Sequence, residues 1–286
     1  MTFEFHRFHF RFRALDAIHF PVGGTTNLVR GMFGALLRRT APADAYLRLF
    51  EPGAALGASP SGFADWPRPF VIRAAHLDGV DIDVAGSFFF DIHCFDVRQP
   101  ALAHFRAALA ELASTGIGPG RGRAELLTAE ALDLDDIPAE PDVPLAVSLV
   151  PEMGTLQRIA VRFVSPTELK IAGELATQPE FPVLLARLRD RISTLRALYG
   201  AGAFDIDFRA MGERASQVRL ARCELLWEHR TRRSSRTGQE HPLSGFTGDA
   251  EYEGEIAEFL PWLRAARWVG VGRQTVWGKG DMRVLE

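Results

Sequence analysis

Lysine is nearly absent from this 286-residue chain: of its 33 basic residues only Lys170 and Lys279 are lysines. Cysteine is scarce as well, with Cys94 and Cys223 placed one in each half. Two thiols so far apart provide neither a disulfide framework nor a cysteine-rich metal site, and they suit a reducing, cytoplasmic setting. No apolar run nears the roughly 20 residues that a membrane span requires. The N-terminus alternates Phe with Arg and His, which is not the pattern of a signal peptide. With hydrophobic content of 47% and charged content of 24%, the composition is that of a soluble globular protein. The length suffices for two domains, each with its own core.

The basic residues present are arginines, whose planar fork matches a phosphate group. A GC-rich genome also produces such a bias, so composition alone does not identify a ligand. A net charge of −3 argues against nucleic acid until the charges are located. Residues 130–142 carry six acids (Glu130, Asp133, Asp135, Asp136, Glu140 and Asp142) and no base, and the remainder of the chain is +3.

Residues 3–13 carry a period-two signal, with Phe8, Phe10 and Phe12 on one face and Arg7, His9, Arg11 and Arg13 on the other. That period of two predicts a strand with one buried face; the basic face is either solvated, the commoner outcome, or a ligand platform. Leu28, Met32 and Leu36 recur at helical spacing, and the segment from Asp44 to Pro67 reads as a long Gly/Ser/Pro-rich insertion. Extended runs over 70–75 and 86–95 precede a helix opened by Pro100, with Leu102, Phe105, Leu109 and Leu112 on one stripe. A strand follows from Ala124, giving the order β-α-β-β-α-β, the ferredoxin-like split βαβ unit.

The acidic stretch 130–144, with Pro138, Pro141 and Pro144, reads as an interdomain linker. Beyond it the scheme repeats. Leu156–Val164 is extended, and 181–199 is a helix whose apolar face is Phe181, Leu185, Leu188, Ile192, Leu195 and Tyr199. Runs 218–228 and 243–252 form a hairpin, and 255–267 is a helix interrupted by Pro261. The expected class is therefore α+β, with two tandem ferredoxin-like (RRM-like, βαββαβ) domains over residues 1–138 and 139–286.

In both halves a glycine-rich loop joins the last helix to the last strand: Gly116-Ile-Gly-Pro-Gly-Arg-Gly-Arg123, and Gly270-Val-Gly-Arg-Gln-Thr-Val-Trp-Gly-Lys-Gly280. Glycine lets a backbone come close to a ligand and reaches positive φ, where successive N–H groups converge on an anion. Neither loop has the Lys-Ser/Thr ending of a P-loop. The hairpin tip, Arg230-Thr-Arg-Arg-Ser-Ser-Arg236, adds four arginines without an acid. Such a run is usually a solvated loop, but beside glycine loops it suits a phosphate backbone.

Together these features resemble the CRISPR-associated endoribonucleases that process precursor CRISPR RNA, members of the RAMP superfamily. The resemblance rests on Asn27–Gly34, Leu49–Pro52, Arg68–Ile72 and 118–123 in the first half. In the second half it rests on 181–199, the Arg233–Arg236 tip, Gly245–Gly248 and Gly270–Gly280. It implies repeat-RNA cleavage without metal or cofactor: the ribose 2′-OH attacks the adjacent phosphate, leaving a 2′,3′-cyclic phosphate and a 5′-OH. Such chemistry calls for a base, a cation for the charged phosphorane and an acid for the leaving oxygen.

Many relatives carry the active histidine on the first helix, where this chain has none between Thr25 and Pro42. The expected base is His19, just before that helix, or else His229 or His241 flanking the basic tip; Arg30 is the expected stabilising cation. Tyr46 is an acid in the manner of some relatives or a core aromatic. Expected RNA contacts are Arg232, Arg233, Arg236, Gly270, Gly272, Arg273, Gly278, Lys279 and Gly280. The partner implied is precursor CRISPR repeat RNA, with other CRISPR effector subunits in addition. The absent helix histidine keeps a second reading open, a non-catalytic RNA-binding subunit of an effector complex. A paired ferredoxin-like domain for a small ligand is a third.

Overall fold

A computed structural model of the chain describes residues 1–53, 66–171, 173–229, 231–233 and 240–285, the side chains of 232, 233 and 240–242 excepted. The chain divides into two compact units, one of Glu4–Ala146 and one of Val147–Glu286 together with Met1–Phe3.

In the first unit β1 (Thr2–Ala14), α1 (Thr25–Thr40), β2 (Phe70–Arg73), β3 (Ser87–Cys94), α2 (Leu102–Ala110) and β4 (Ala124–Leu132) follow in that order. The sheet runs β2-β3-β1-β4, every pairing antiparallel. That order, with first and third strands central, is the ferredoxin-like topology. Phe8, Phe10 and Phe12 are fully buried, whereas Arg11 and Arg13 are exposed, so the period of two in the sequence is the pleat of β1.

The second unit repeats the plan with β5 (Arg158–Thr167), α3 (Phe181–Tyr199), β6 (Arg219–Glu228), β7 (Gly245–Glu253), α4 (Leu260–Val269) and β8 (Met282–Leu285). Its sheet order is β6-β7-β5-β8, again antiparallel. All six residues expected on the apolar face of α3 are buried. The tandem ferredoxin-like fold is thus observed in both halves.

Several local expectations are corrected. Residues Ala43–Phe50, read as part of an insertion, form a helix that buries Ala45, Tyr46, Leu49 and Phe50; residues 54–65 of that segment lie outside the described residues. The acidic stretch does not begin as a linker, because Glu130–Leu132 complete β4. There Asp133 Oδ1 accepts the N–H groups of Asp135 and Ile137, and Pro138–Ala139 returns to pair with β4. The buried stripe of α1 is Val29, Phe33, Leu36 and Leu37, with Leu28 and Met32 only half-buried. Pro261 opens α4 instead of interrupting it, since its missing N–H costs nothing in a first turn. Helix Phe208–Ala215 was not anticipated. Its signal is Asp207, whose carboxylate caps the N–H groups of Arg209 and Ala210 at 3.1 and 2.9 Å.

His6 is 1% exposed, stacks on Phe8, and finds no hydrogen-bond partner for either ring nitrogen among the described residues. Desolvation lowers its pKa from 6.5, against the opposing pull of Asp142 and Asp96. A histidine held neutral in the fold stabilises fully above its unfolded pKa and progressively less as pH falls below it. The melting temperature should therefore drop as pH is lowered from about 7 to about 5.5, and His6→Leu should flatten that slope. A slope unchanged in the variant would exclude His6 as its source.

Candidate active site and nucleic-acid interface

In the first unit the glycine loop folds back onto the turn between β1 and α1. Arg123 donates from its backbone and its guanidinium to Asp16, and this pair holds the Asp16 carboxyl down at about 2. The N–H groups of Leu15 and Asp16 both reach the Arg123 carbonyl. At Gly118, with φ of +80°, an added Cβ would sit 3.3 Å from the carbonyl oxygen of His19. The loop is therefore built against the residue expected to be the base.

His19 lies on the two-residue strand Ile18–His19, paired with Asp81–Ile82. Its side chain is 61% exposed, and Nδ1 meets Asp81 Oδ1 at 2.6 Å. A carboxylate on Nδ1 favours the tautomer with the proton there, leaving the Nε2 lone pair free towards solvent. Asp81 escaped the sequence reading because it lies 62 residues away. Arg121, at the tip of the same loop and exposed, is a second residue the sequence did not single out.

Arg30 occupies the second turn of α1 and is only 6% exposed, with its guanidinium carbon 4.8 Å over the Phe50 ring. Tyr46 stacks on the same ring and donates to Glu51. Both belong to the packing around Phe50. Two further histidines are tied into the fold: His9 bonds Asp91 and His76 bonds the Phe89 carbonyl.

The second unit holds the remaining expected residues. Among the described residues of the terminal loop, Gly270, Gly272, Gly278 and Gly280 all have positive φ, between 73° and 90°. Their freedom serves the chain's own packing. A Cβ on Gly272 would lie 2.4 Å from the Glu168 carbonyl oxygen, and one on Gly280 would lie 1.9 Å from that of Val271. Lys279 is 2% exposed; Nζ donates to Glu168 Oε2 at 3.1 Å, to the Ser244 carbonyl at 2.6 Å and to Gln274 Oε1 at 3.0 Å. Burial lowers its pKa while Glu168 raises it, the burial being larger. Arg273 also bonds Glu168 but keeps about half of its side chain, 51%, in solvent.

Thr231–Arg233 pairs with Glu240–Pro242, placing Arg232 opposite His241 and Arg233 opposite Glu240. His229 is exposed, its ring 6.4 Å from that of Trp227. Arg236 lies outside the described residues. The structure thus gathers His19, Asp81 and the first glycine loop in one unit. It gathers Arg273, Lys279 and the foot of the arginine hairpin in the other.

Two ferredoxin-like units, each with a glycine loop between its last helix and last strand, define a tandem ferredoxin-like protein. Residues 161–282 match the family of the CRISPR-associated endoribonuclease Cas6, and residues 3–144 match a family described as an N-terminal domain. The Cas6 match lies in the second half of the chain and spans under half of its length. Solved structures with the same fold include a Thermus thermophilus Cas6 in a product complex, at 20% identity and TM-score 0.60, covering 97% of this chain and 99% of that one. A second Cas6 product complex matches at 18% identity and TM-score 0.57, covering 98% and 100%. A partial complex of Cas6-RT-Cas1 with Cas2 matches at 14% identity and TM-score 0.62, covering 99% of this chain and 46% of that one. No curated protein matches the sequence.

The loop packing sets a direct expectation. Gly280→Ala should lower stability by about 2 kcal/mol or more, because it forces both a positive φ and a backbone clash. Gly120→Ala, with nothing within 4 Å of the new Cβ, should change stability by less than about 1 kcal/mol. Chemical denaturation of the two variants checks this; equal effects would show that loop packing does not constrain Gly280.

Proposed function

We propose that this chain binds the repeat of a precursor CRISPR RNA and cuts it by 2′-OH attack. The observation that carries the reading is His19, exposed, oriented by Asp81 at 2.6 Å and lying against the first glycine loop. Nε2 takes the proton from the 2′-OH beside the scissile phosphate, and the oxygen attacks in line. Arg121 is better placed than the buried Arg30 to face the charged phosphorane, since it is exposed on the loop that touches His19. His229 and His241 remain the other sources of a base. A protonated group returns a proton to the departing 5′ oxygen, so the products are a cyclic phosphate and a 5′-OH, with no metal needed to generate the nucleophile. RNA is held through its phosphates and shape, by Arg273 and by Arg232, Arg233 and Arg236 of the hairpin.

The Cas6 family match over residues 161–282 and the likeness to Cas6 product complexes support this reading. The absence of a histidine from α1 favours one alternative, an RNA-binding subunit that does not cut. The Cas6-RT-Cas1 likeness makes other CRISPR proteins reasonable partners.

The test is single-turnover cleavage of a cognate repeat RNA in excess EDTA. Cutting at one site is expected, and His19→Ala should slow it by roughly a hundredfold or more with binding little changed. A fully active His19→Ala protein would move the base to His229 or His241. A strict need for Mg²⁺ would refute the mechanism, and tight binding without cleavage would favour the non-catalytic subunit.

A further inference from the structure

Lys279 sits in the glycine loop, where a sequence reading expects it to meet phosphate. Its ammonium group has three N–H donors, and all three are spent within the protein, on Glu168, the Ser244 carbonyl and Gln274. At 2% exposure it has neither a donor nor an open path for RNA. Its partners are informative. Ser244 directly precedes β7 and follows Glu240–Pro242, the return strand of the arginine hairpin. Lys279 therefore ties the glycine loop to the foot of that hairpin.

The end of β5, with Glu168 directly after it, completes the tie. Gly280 N–H donates to the Pro166 carbonyl at 3.1 Å, Asp281 N–H to Ser165 Oγ at 2.9 Å, and Arg273 N–H to the Glu168 carbonyl at 3.1 Å. A Cβ on Gly245, at the hairpin foot, would lie 2.7 Å from both N and O of Thr167. Residues 165–168 thus carry the loop and the hairpin foot together. Glu168, 5% exposed, neutralises Lys279 and holds one edge of Arg273. One positive charge of the trio remains, on the half-exposed Arg273. Buried ion pairs are poor sources of net stability, and fixing register is their best-attested role.

We propose that Lys279 and Glu168 are positioning residues that latch the terminal glycine loop to the base of the arginine hairpin. The two elements then meet RNA as one preformed surface, with Arg273 as the outward cation. The consequence for RNA rests on the functional reading above; the latch itself does not.

Hydrogen exchange on the RNA-free protein tests the latch. Lys279→Met should speed exchange at 270–280 and also at the described hairpin foot, 243–248. Loosening confined to the glycine loop would overturn the coupling. Repeat-RNA binding across a salt series tests the consequence. Lys279→Met should weaken affinity roughly tenfold or more without altering the salt slope, because no phosphate contact is removed. A slope reduced by about one would make Lys279 a phosphate contact and overturn the proposal. The apolar pair Glu168→Leu with Lys279→Met guards against a simple folding defect, since replacing both charges avoids a stranded buried one. Its melting temperature should recover while its affinity stays low. Recovery of both would mean the pair is merely structural. A wild-type chain without affinity for any cognate repeat would sink the functional reading, and the exchange experiment would still decide the latch.

Discussion

Where the terminal glycine loop turns, a carbonyl of the chain's own backbone fills the space that a Cβ would need. At Gly272 the intruding oxygen is that of Glu168, and at Gly280 it is that of Val271. Because no side chain fits, the loop lies flat on the end of β5, and Lys279 and Glu168 become buried beneath it. The placement of Arg273, the approach of the hairpin foot and the entry of β8 into the sheet all follow from that contact. The first unit uses the same device on a smaller scale, with its glycine loop resting on the turn that carries His19.

The fold was legible because its signals are local. The phenylalanine alternation of β1 and the six-residue stripe of α3 each state a period and a buried face, and two repeats of one element order fix the topology class. Helix Ala43–Phe50 was hidden by the Gly- and Pro-rich residues after it. The end of β4 was hidden by acids that suggested a solvated linker. In both cases composition over a window outweighed the pattern within it.

The site was less legible for a different reason. Sequence shows that glycines and a cation converge, but not on what they converge. Lys279 meets Glu168 across 111 residues and His19 meets Asp81 across 62, and no short-range pattern joins either pair. The same lysine that reads as a phosphate ligand is, in three dimensions, an internal tie, whereas Arg273 keeps half of its side chain outside. Arg30 behaves similarly: a helix position facing a ligand in the sequence reading lies against Phe50 in the structure. Charge type suggested the chemistry, and burial decides which of the charges can perform it.

If His19 is the base, its task is to make a ribose hydroxyl the nucleophile, and that atom can be removed without touching the protein. The most direct measurement is cleavage and binding of a cognate repeat RNA carrying one 2′-deoxy nucleotide immediately 5′ of the scissile phosphate. Attack by the 2′-OH predicts that cutting at this position is abolished while affinity changes by no more than about twofold, since one hydroxyl adds little to a phosphate-dominated interface. Cleavage that persists at the same bond would show that water is the nucleophile and would contradict the mechanism.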